Sequence, residues 1–245
     1  MKHGLRLYGK GSVVERLRAQ PESVRKIVLR STAVLPEITQ MAETHRIRIE
    51  ALPAGKFDRL CRMKNIQGVF ADVQPFAYAD YYALAAAPEP QRRVLVFLEG
   101  ITDPHNFGVM LRAMACFGGF AAVIPAAGAC EINETVLHVS AGGDNYVPVS
   151  RVSDLTEAVQ FARERRYQIV GAIIAETGRC LYEAHLSFPL GIVLGAERRG
   201  VSPALTALLD AAVYIPMRGV ALSLNVNNAC AIFCYEAARR RDKDR

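Results

Sequence analysis

The sequence predicts an α/β protein in two units: a small α/β module followed by a larger parallel sheet with helices on both faces. Three observations predict it. Short apolar runs alternate with helix-patterned stretches through the second two thirds of the chain. The run Val94–Leu98 is apolar at every position, as in a strand buried on both faces. An Ala/Pro-rich stretch from Ala83 to Pro90 breaks the pattern, which places a linker over residues 83–91 between a unit at 1–82 and a unit at 92–245. With 245 residues, 51% of them hydrophobic and 22% charged, the chain can bury a substantial core.

In the first unit, Val13, Val14 and Leu17 give Gly11–Arg18 a helical spacing, and Lys26–Leu29 reads as a strand. Leu35–His45 reads as a helix, Arg46–Glu50 as a short strand, Phe57–Lys64 as a helix and Gly68–Val73 as a strand. In the second unit, strand Val94–Leu98 leads through a polar loop to a helix over Phe107–Phe117, then to strand Ala121–Ile124. A helix fits Asp154–Arg166 with Ser153 as its N-cap. Strands fit Gln168–Ile174, Gly191–Leu194 and Ala212–Ile215, Ser202–Pro203 opens a short helix, and a long helix fits Asn225–Arg240.

Charge is unevenly spread. Residues 1–87 hold 14 Lys and Arg against 8 Asp and Glu, whereas residues 88–245 hold 16 of each. All of the net +6 therefore sits in the first unit, which points to a polyanion such as nucleic acid, or to a solvated basic surface. No apolar run reaches the roughly 18 residues of a membrane span, and the first ten residues show no signal-peptide core. The six cysteines form no CxxC pair, so neither a disulfide framework nor a zinc site is expected, and a cytoplasmic setting is. Cys230 and Cys234 read as small buried apolar residues.

In parallel sheets, ligands bind beyond the carboxyl ends of strands. Three loops are expected there, after Leu98, Leu194 and Ile215. No G-x-G-x-x-G is present, and Gly195–Ser202 lacks the lysine of a phosphate loop, having Val201 instead. Each polar residue of these loops has a structural reading. Asn106 can cap the helix after the first loop, Arg112 can be a surface arginine, and Glu197 can be a solvated charge. Ser223 and Asn225 can cap the last helix, and His105 can be a turn residue.

Taken together, the loops resemble a known family. Asn106-x-Gly108-x3-Arg112, then Leu194-Gly195-Ala196-Glu197-x2-Gly200, then Ile215-Pro216-Met217 leading to Ser223-Leu224-Asn225-Val226 look like the three motifs of the SpoU (TrmH-like) family. That family comprises SPOUT-class RNA 2′-O-ribose methyltransferases. Upstream, Leu7-Tyr8-Gly9, Val13-x-Glu15-x-Leu17 and Gln67-Gly68-Val69 look like the N-terminal RNA-binding domain of its rRNA-modifying branch, which is similar to small ribosomal proteins.

The resemblance implies a trefoil-knotted C-terminal domain, S-adenosylmethionine as cofactor, RNA as partner, a homodimer, and no metal. It implies cofactor contacts from Leu194, Gly195, Gly200, Ile215, Met217, Ser223 and Leu224, and catalytic roles for Asn106, Arg112, Glu197, Ser223 and Asn225. The implied substrate is a ribose of structured RNA, 23S rRNA first and guanosine favoured. The alternatives are a tRNA 2′-O-methyltransferase and a non-catalytic RNA-binding SPOUT protein. Asn227 and Asn228, where the family has small apolar residues, and the bulky Arg198 and Arg199 depart from the pattern.

Overall fold

A computed structural model describes residues 4–61, 66–88, 92–174, 178–196, 199–219 and 223–241. In chain order the elements are β1 (Leu5–Tyr8), α1 (Lys10–Ala19), β2 (Val24–Arg30), α2 (Pro36–Thr44), β3 (Ile49–Leu52), α3 (Ala54–Leu60), β4 (Val69–Val73) and α4 (Tyr81–Ala85). Then come β5 (Val94–Leu98), α5 (Pro104–Phe117), β6 (Phe120–Pro125), α6 (Glu134–Ser140), β7 (Val149–Val152), α7 (Leu155–Glu164) and β8 (Gln168–Ala172). The chain closes with β9 (Arg179–Cys180), β10 (Leu190–Leu194), α8 (Pro203–Thr206), β11 (Ala211–Tyr214) and α9 (Val226–Arg241).

The first sheet has the order β1-β4-β2-β3. Its two pairs with β4 are antiparallel, and β2 pairs β3 in parallel. Alternation along β2 sends Ile27 and Leu29 to one side, against α1 and α2, and Val28 to the other, against Phe57 of α3 and Phe70.

The second sheet has the order β7-β6-β5-β10-β8-β11-β9, and all of its pairings are parallel. Both of its faces are covered, which is why β5 is buried at every position. Val94, Val96 and Leu98 pack toward Phe107, Met110 and Phe233 of α5 and α9, while Leu95 and Phe97 pack toward Leu155, Val159 and Leu205 of α7 and α8.

The parallel sheet and its coverage agree with the sequence reading; several local expectations are corrected. Helix α5 is capped by Asp103, which accepts from the His105 N–H at 2.9 Å, and Asn106 lies inside the first turn rather than at the cap. Asp154, not Ser153, caps α7 through the N–H groups of Thr156 and Glu157. The stretch expected to be linker from residue 83 opens within α4, which Asp80 caps ahead of the two prolines. The third strand begins at Ile49 rather than Arg46, whose backbone is left-handed at φ 55°. Strands β1, β7 and β9 and helices α4 and α6 are additional to the expected elements. Expected helix residues 62–64 lie outside the described residues.

The two sheets share one hydrophobic core, in which Leu7, Val13, Val14 and Leu17 of the first unit join Val136 and Leu137 of α6. Among the described residues, no helix is long and apolar enough to cross a membrane.

Candidate active site

A pocket of about 330 Å³ opens beyond the carboxyl ends of β8, β10 and β11. Its lining combines Ala172, Ile173 and Ile174 after β8, Leu194 to Ala196 with Gly200 and Val201 around β10, and Val213 to Ile215 with Met217 after β11. Ser223, Leu224, Val226, Ala229 and Phe233 of the last segment close it. A pocket of this size, mostly apolar and lined at a few points by backbone and hydroxyl groups, has the character of a cofactor site.

All seven residues expected to contact cofactor, Leu194, Gly195, Gly200, Ile215, Met217, Ser223 and Leu224, line this one pocket. The walls from β8 and from Ala229 and Phe233 of α9 escaped the sequence reading. They are ordinary strand and helix residues, and only the chain path brings them here.

The loop after β10 is shaped by its glycine. The Gly200 N–H bonds the Ala196 carbonyl at 2.8 Å, folding the loop back on itself. A Cβ at Gly195 would stand 2.1 Å from the Gly200 carbonyl group, so no larger residue fits this turn.

The loop after β5 does not line the pocket; it buttresses the loop that does. Glu99 donates its N–H to the Leu194 carbonyl at 2.9 Å and accepts from the Ser202 N–H at 2.8 Å through its carboxylate. Ser202 in turn caps α8.

The polar candidates divide into groups. Ser223 and Leu224 are on the pocket rim. Asn225 stands at the entry to α9 and accepts from the Asn227 N–H at 2.9 Å. Asn106 on α5 accepts at 2.9 Å from the side-chain amide of Asn227. Asn227, noticed in the sequence only as a departure from a pattern, thus ties the first and third loops together. No sequence spacing relates residues 106 and 227, so this link is visible only in three dimensions.

Arg112 does not line the pocket. Its side chain is exposed on α5 and makes no hydrogen bond or ion pair among the described residues. His105 is exposed and Phe107 is fully buried. Glu197 and Arg198 lie outside the described residues, and Arg199 is exposed. Cys230 and Cys234 are buried with their sulfurs 3.9 Å apart; this hydrogen bond and burial push the Cys234 thiol well up, as expected of an unreactive pair. Among the described residues, no cluster of three or more metal-ligating side chains occurs.

Residues 93–235, the stretch that contains the whole pocket, match the SpoU rRNA Methylase family. The chain belongs to this family. Residues 6–79 match a second description, RNA 2′-O ribose methyltransferase substrate binding. A Staphylococcus saprophyticus protein named for the TrmH family of tRNA/rRNA methyltransferases is 32% identical over 225 residues, 90% of each chain. An uncharacterized tRNA/rRNA methyltransferase of Mycobacterium avium is 32% identical over 238 residues, 95% of this chain and 76% of that one. Among solved structures, a TrmH-family RNA methyltransferase of Porphyromonas gingivalis superposes with a TM-score of 0.75 at 27% identity, covering 98% of this chain and 91% of the other. The SpoU methyltransferase AviRb of Streptomyces viridochromogenes, solved in complex with AdoMet, shares the fold at a TM-score of 0.77 and 24% identity, with the same coverage. As a member of the SpoU family, the protein is an RNA methyltransferase.

Proposed function

We propose that the protein transfers a methyl group from S-adenosylmethionine to a ribose 2′-hydroxyl of structured RNA, 23S rRNA first, with guanosine favoured. The observation that carries this reading is the convergence of Leu194, Gly195, Gly200, Ile215, Met217, Ser223 and Leu224 on one pocket at the strand ends. The donor set fits the cofactor. Leu194, Ile215, Leu224 and Phe233 offer apolar surface to an adenine, and the turned backbone around Gly195 and Gly200 offers N–H and C=O groups without side chains in the way. The cofactor supplies an electrophilic methyl group.

The chain's own residues then have to hold and activate a poor nucleophile. A guanidinium offers a planar fork of N–H donors and no acceptor, so we assign Arg112 to anchoring the target phosphate and steadying the developing alkoxide rather than to taking a proton. The proton leaves to the phosphate or to water. Asn106, oriented by Asn227, positions the ribose; Ser223 and Asn225 orient the hydroxyl; Glu197 supports Arg112. Most of the rate enhancement is positioning.

The homodimer belongs to the same proposal. Helices α5 and α9 run side by side in the same direction, joined by Asn106–Asn227 at their starts and the edge-on rings of Phe117 and Tyr235 toward their ends. They expose Val109, Ile232 and Tyr235, and Arg112 lies one turn from Val109. A second copy on this face would complete a site that leaves Arg112 outside the single-chain pocket. The trefoil knot is also included: residues 223–233 return after β11 to close a pocket walled by β8 and β10. The domain division at 1–82, 83–91 and 92–245 belongs to the same proposal, with α4 running through Ala85 into the start of the linker. A cytoplasmic setting is supported by six free thiols.

The test is a map of 2′-O-methylation in rRNA and tRNA from cells with and without the gene. Loss of one ribose methyl in 23S rRNA is expected. A loss confined to tRNA would move the substrate, and no loss anywhere would remove the activity.

A further inference from the structure

The contact between the two units reaches the backbone that carries Arg112. Arg16 of α1 is 6% exposed and Asp144, in the turn after α6, is 4% exposed. They form an ion pair at 2.5 Å between Arg16 Nη2 and Asp144 Oδ2. Asp144 also accepts from the Ser140 hydroxyl at 2.7 Å, and Arg16 donates to Gln20 Oε1 at 3.0 Å. Around this pair, the Tyr146 hydroxyl donates to Glu15 at 2.7 Å and His138 Nδ1 donates to the Tyr8 carbonyl at 2.9 Å. Arginine suits this place because its planar fork of donors reaches several acceptors at once.

Gly143 immediately precedes Asp144. A Cβ at this position would stand 2.9 Å from the Arg112 Cα and 3.1 Å from the Arg112 backbone nitrogen. The 143–145 turn therefore lies directly on α5 at the residue assigned to the target phosphate. Helix α6, which leads into this turn, packs along α5 and against β1 of the first unit.

We propose that Arg16 is a positioning residue for methyl transfer: through its ion pair with Asp144 it seats the 143–145 turn on α5 and so fixes where Arg112 stands. The RNA-binding unit is then part of the catalytic framework and not only a tether for substrate. This inference rests on the role given above to Arg112. The linkage is short and continuous, running from α1 through one buried carboxylate and one glycine contact to the α5 backbone.

The test uses the full-length chain. Arg16→Met combined with Asp144→Asn removes both charges together, which avoids stranding one of them. Gly143→Ala disturbs the packing on α5 from the other side and leaves the ion pair in place. Arg16→Lys restores a cation. For the neutral pair and for Gly143→Ala, kcat should fall about tenfold, because small displacements of a positioning group are costly. KM for RNA and affinity for S-adenosylmethionine should stay within about twofold, and Arg16→Lys should recover much of kcat. Unchanged kcat in the folded neutral pair, or a loss confined to KM for RNA, would overturn the proposal. Amide hydrogen exchange over residues 104–117 gives a readout that does not depend on turnover. It should be faster in the neutral pair than in the wild type, and unchanged exchange would also overturn the linkage. If instead the wild type methylates no RNA, or Arg112→Ala keeps full activity, the functional reading fails while the exchange experiment still decides the linkage.

Discussion

Among single residues, Arg112 stands exposed on α5, and Asn227 bonds Asn106 about one and a half turns before it. Arg112 stands out in the sequence only because it falls six residues after Asn106 in a motif; in isolation it would be one exposed arginine among many. Its guanidinium is exposed on α5, where the proposed role has it meet the target phosphate. Arg112→Ala is expected to lower methyl transfer about 100-fold while leaving S-adenosylmethionine affinity unchanged by calorimetry, the size of effect that follows from removing one electrostatic group at a reacting centre. Asn227 has no such motif. Its amide donates to Asn106 Oδ1 and its N–H to Asn225 Oδ1, so one residue orders two others. The N-cap role that sequence patterning allowed for Asn106 went to Asp103 because a cap needs an extended backbone just before the first turn, and Asp103 has it with φ −81° and ψ 119°.

Among elements, the buried strands were the most legible and the partly polar elements the least. β5, β6 and β10 are buried along nearly their whole length, so their apolar runs are visible without knowing their neighbours. β1 spans only four residues, two of them half-buried, and β7 exposes part of Arg151, so neither shows a clear period. α6 places Glu134, Thr135 and His138 among its apolar positions, because it faces both α5 and the first unit. The pocket was readable where motifs line it and unreadable at Ile173, Ile174 and Phe233, which reach it by topology alone.

Two predictions belong to this scale. In the loop after β10, Gly195→Ala would place a methyl group 2.1 Å from the Gly200 carbonyl. It is expected to abolish measurable S-adenosylmethionine binding and to cost about 1–3 kcal/mol of stability, read by denaturant unfolding. The second concerns the end of α9. The Glu236 carboxylate accepts from Arg239 at 2.7 Å and Arg240 at 2.6 Å, and Arg240 reaches the carbonyl groups of Leu181, Tyr182 and Ala184. The hydrogen bonds from Arg239 hold the Glu236 carboxyl below the usual carboxylate range, against the opposing effect of burial and with further help from Arg240. A depressed carboxyl contributes stability that is present above its unfolded value of about 4.3 and is lost as pH falls through its folded value. Glu236→Gln should therefore lower Tm near neutral pH and show a shallower fall of Tm on acidification than the wild type. Parallel Tm curves for the two proteins would show that this carboxylate does not anchor α9.

For the whole molecule, the question is how a basic first unit and a neutral second unit act on one RNA. Several cations of the first unit are neutralised locally, Arg6 and Lys26 by Asp72, Lys26 also by Glu50, and Arg30 by Asp58. Arg25, Arg46 and Arg48 are exposed and make no ion pair among the described residues. Replacing these three by Ala should weaken RNA binding and flatten its dependence on salt, by about one unit of slope for each phosphate no longer neutralised. Affinity for S-adenosylmethionine should not change, since the pocket is built wholly from the second unit.

The shared core and the buried Arg16–Asp144 pair join the two units, so RNA held by the first is presented to a site whose frame the first helps to build. On the proposed function the ribose hydroxyl accepts the methyl group. It is tested most directly with an RNA substrate carrying a single 2′-deoxy nucleotide at the target position. Binding is expected to stay close to that of the unmodified RNA, because phosphate contacts dominate affinity, with no methyl transfer. Transfer of labelled methyl to the deoxy substrate, with the label recovered on the base, would contradict it.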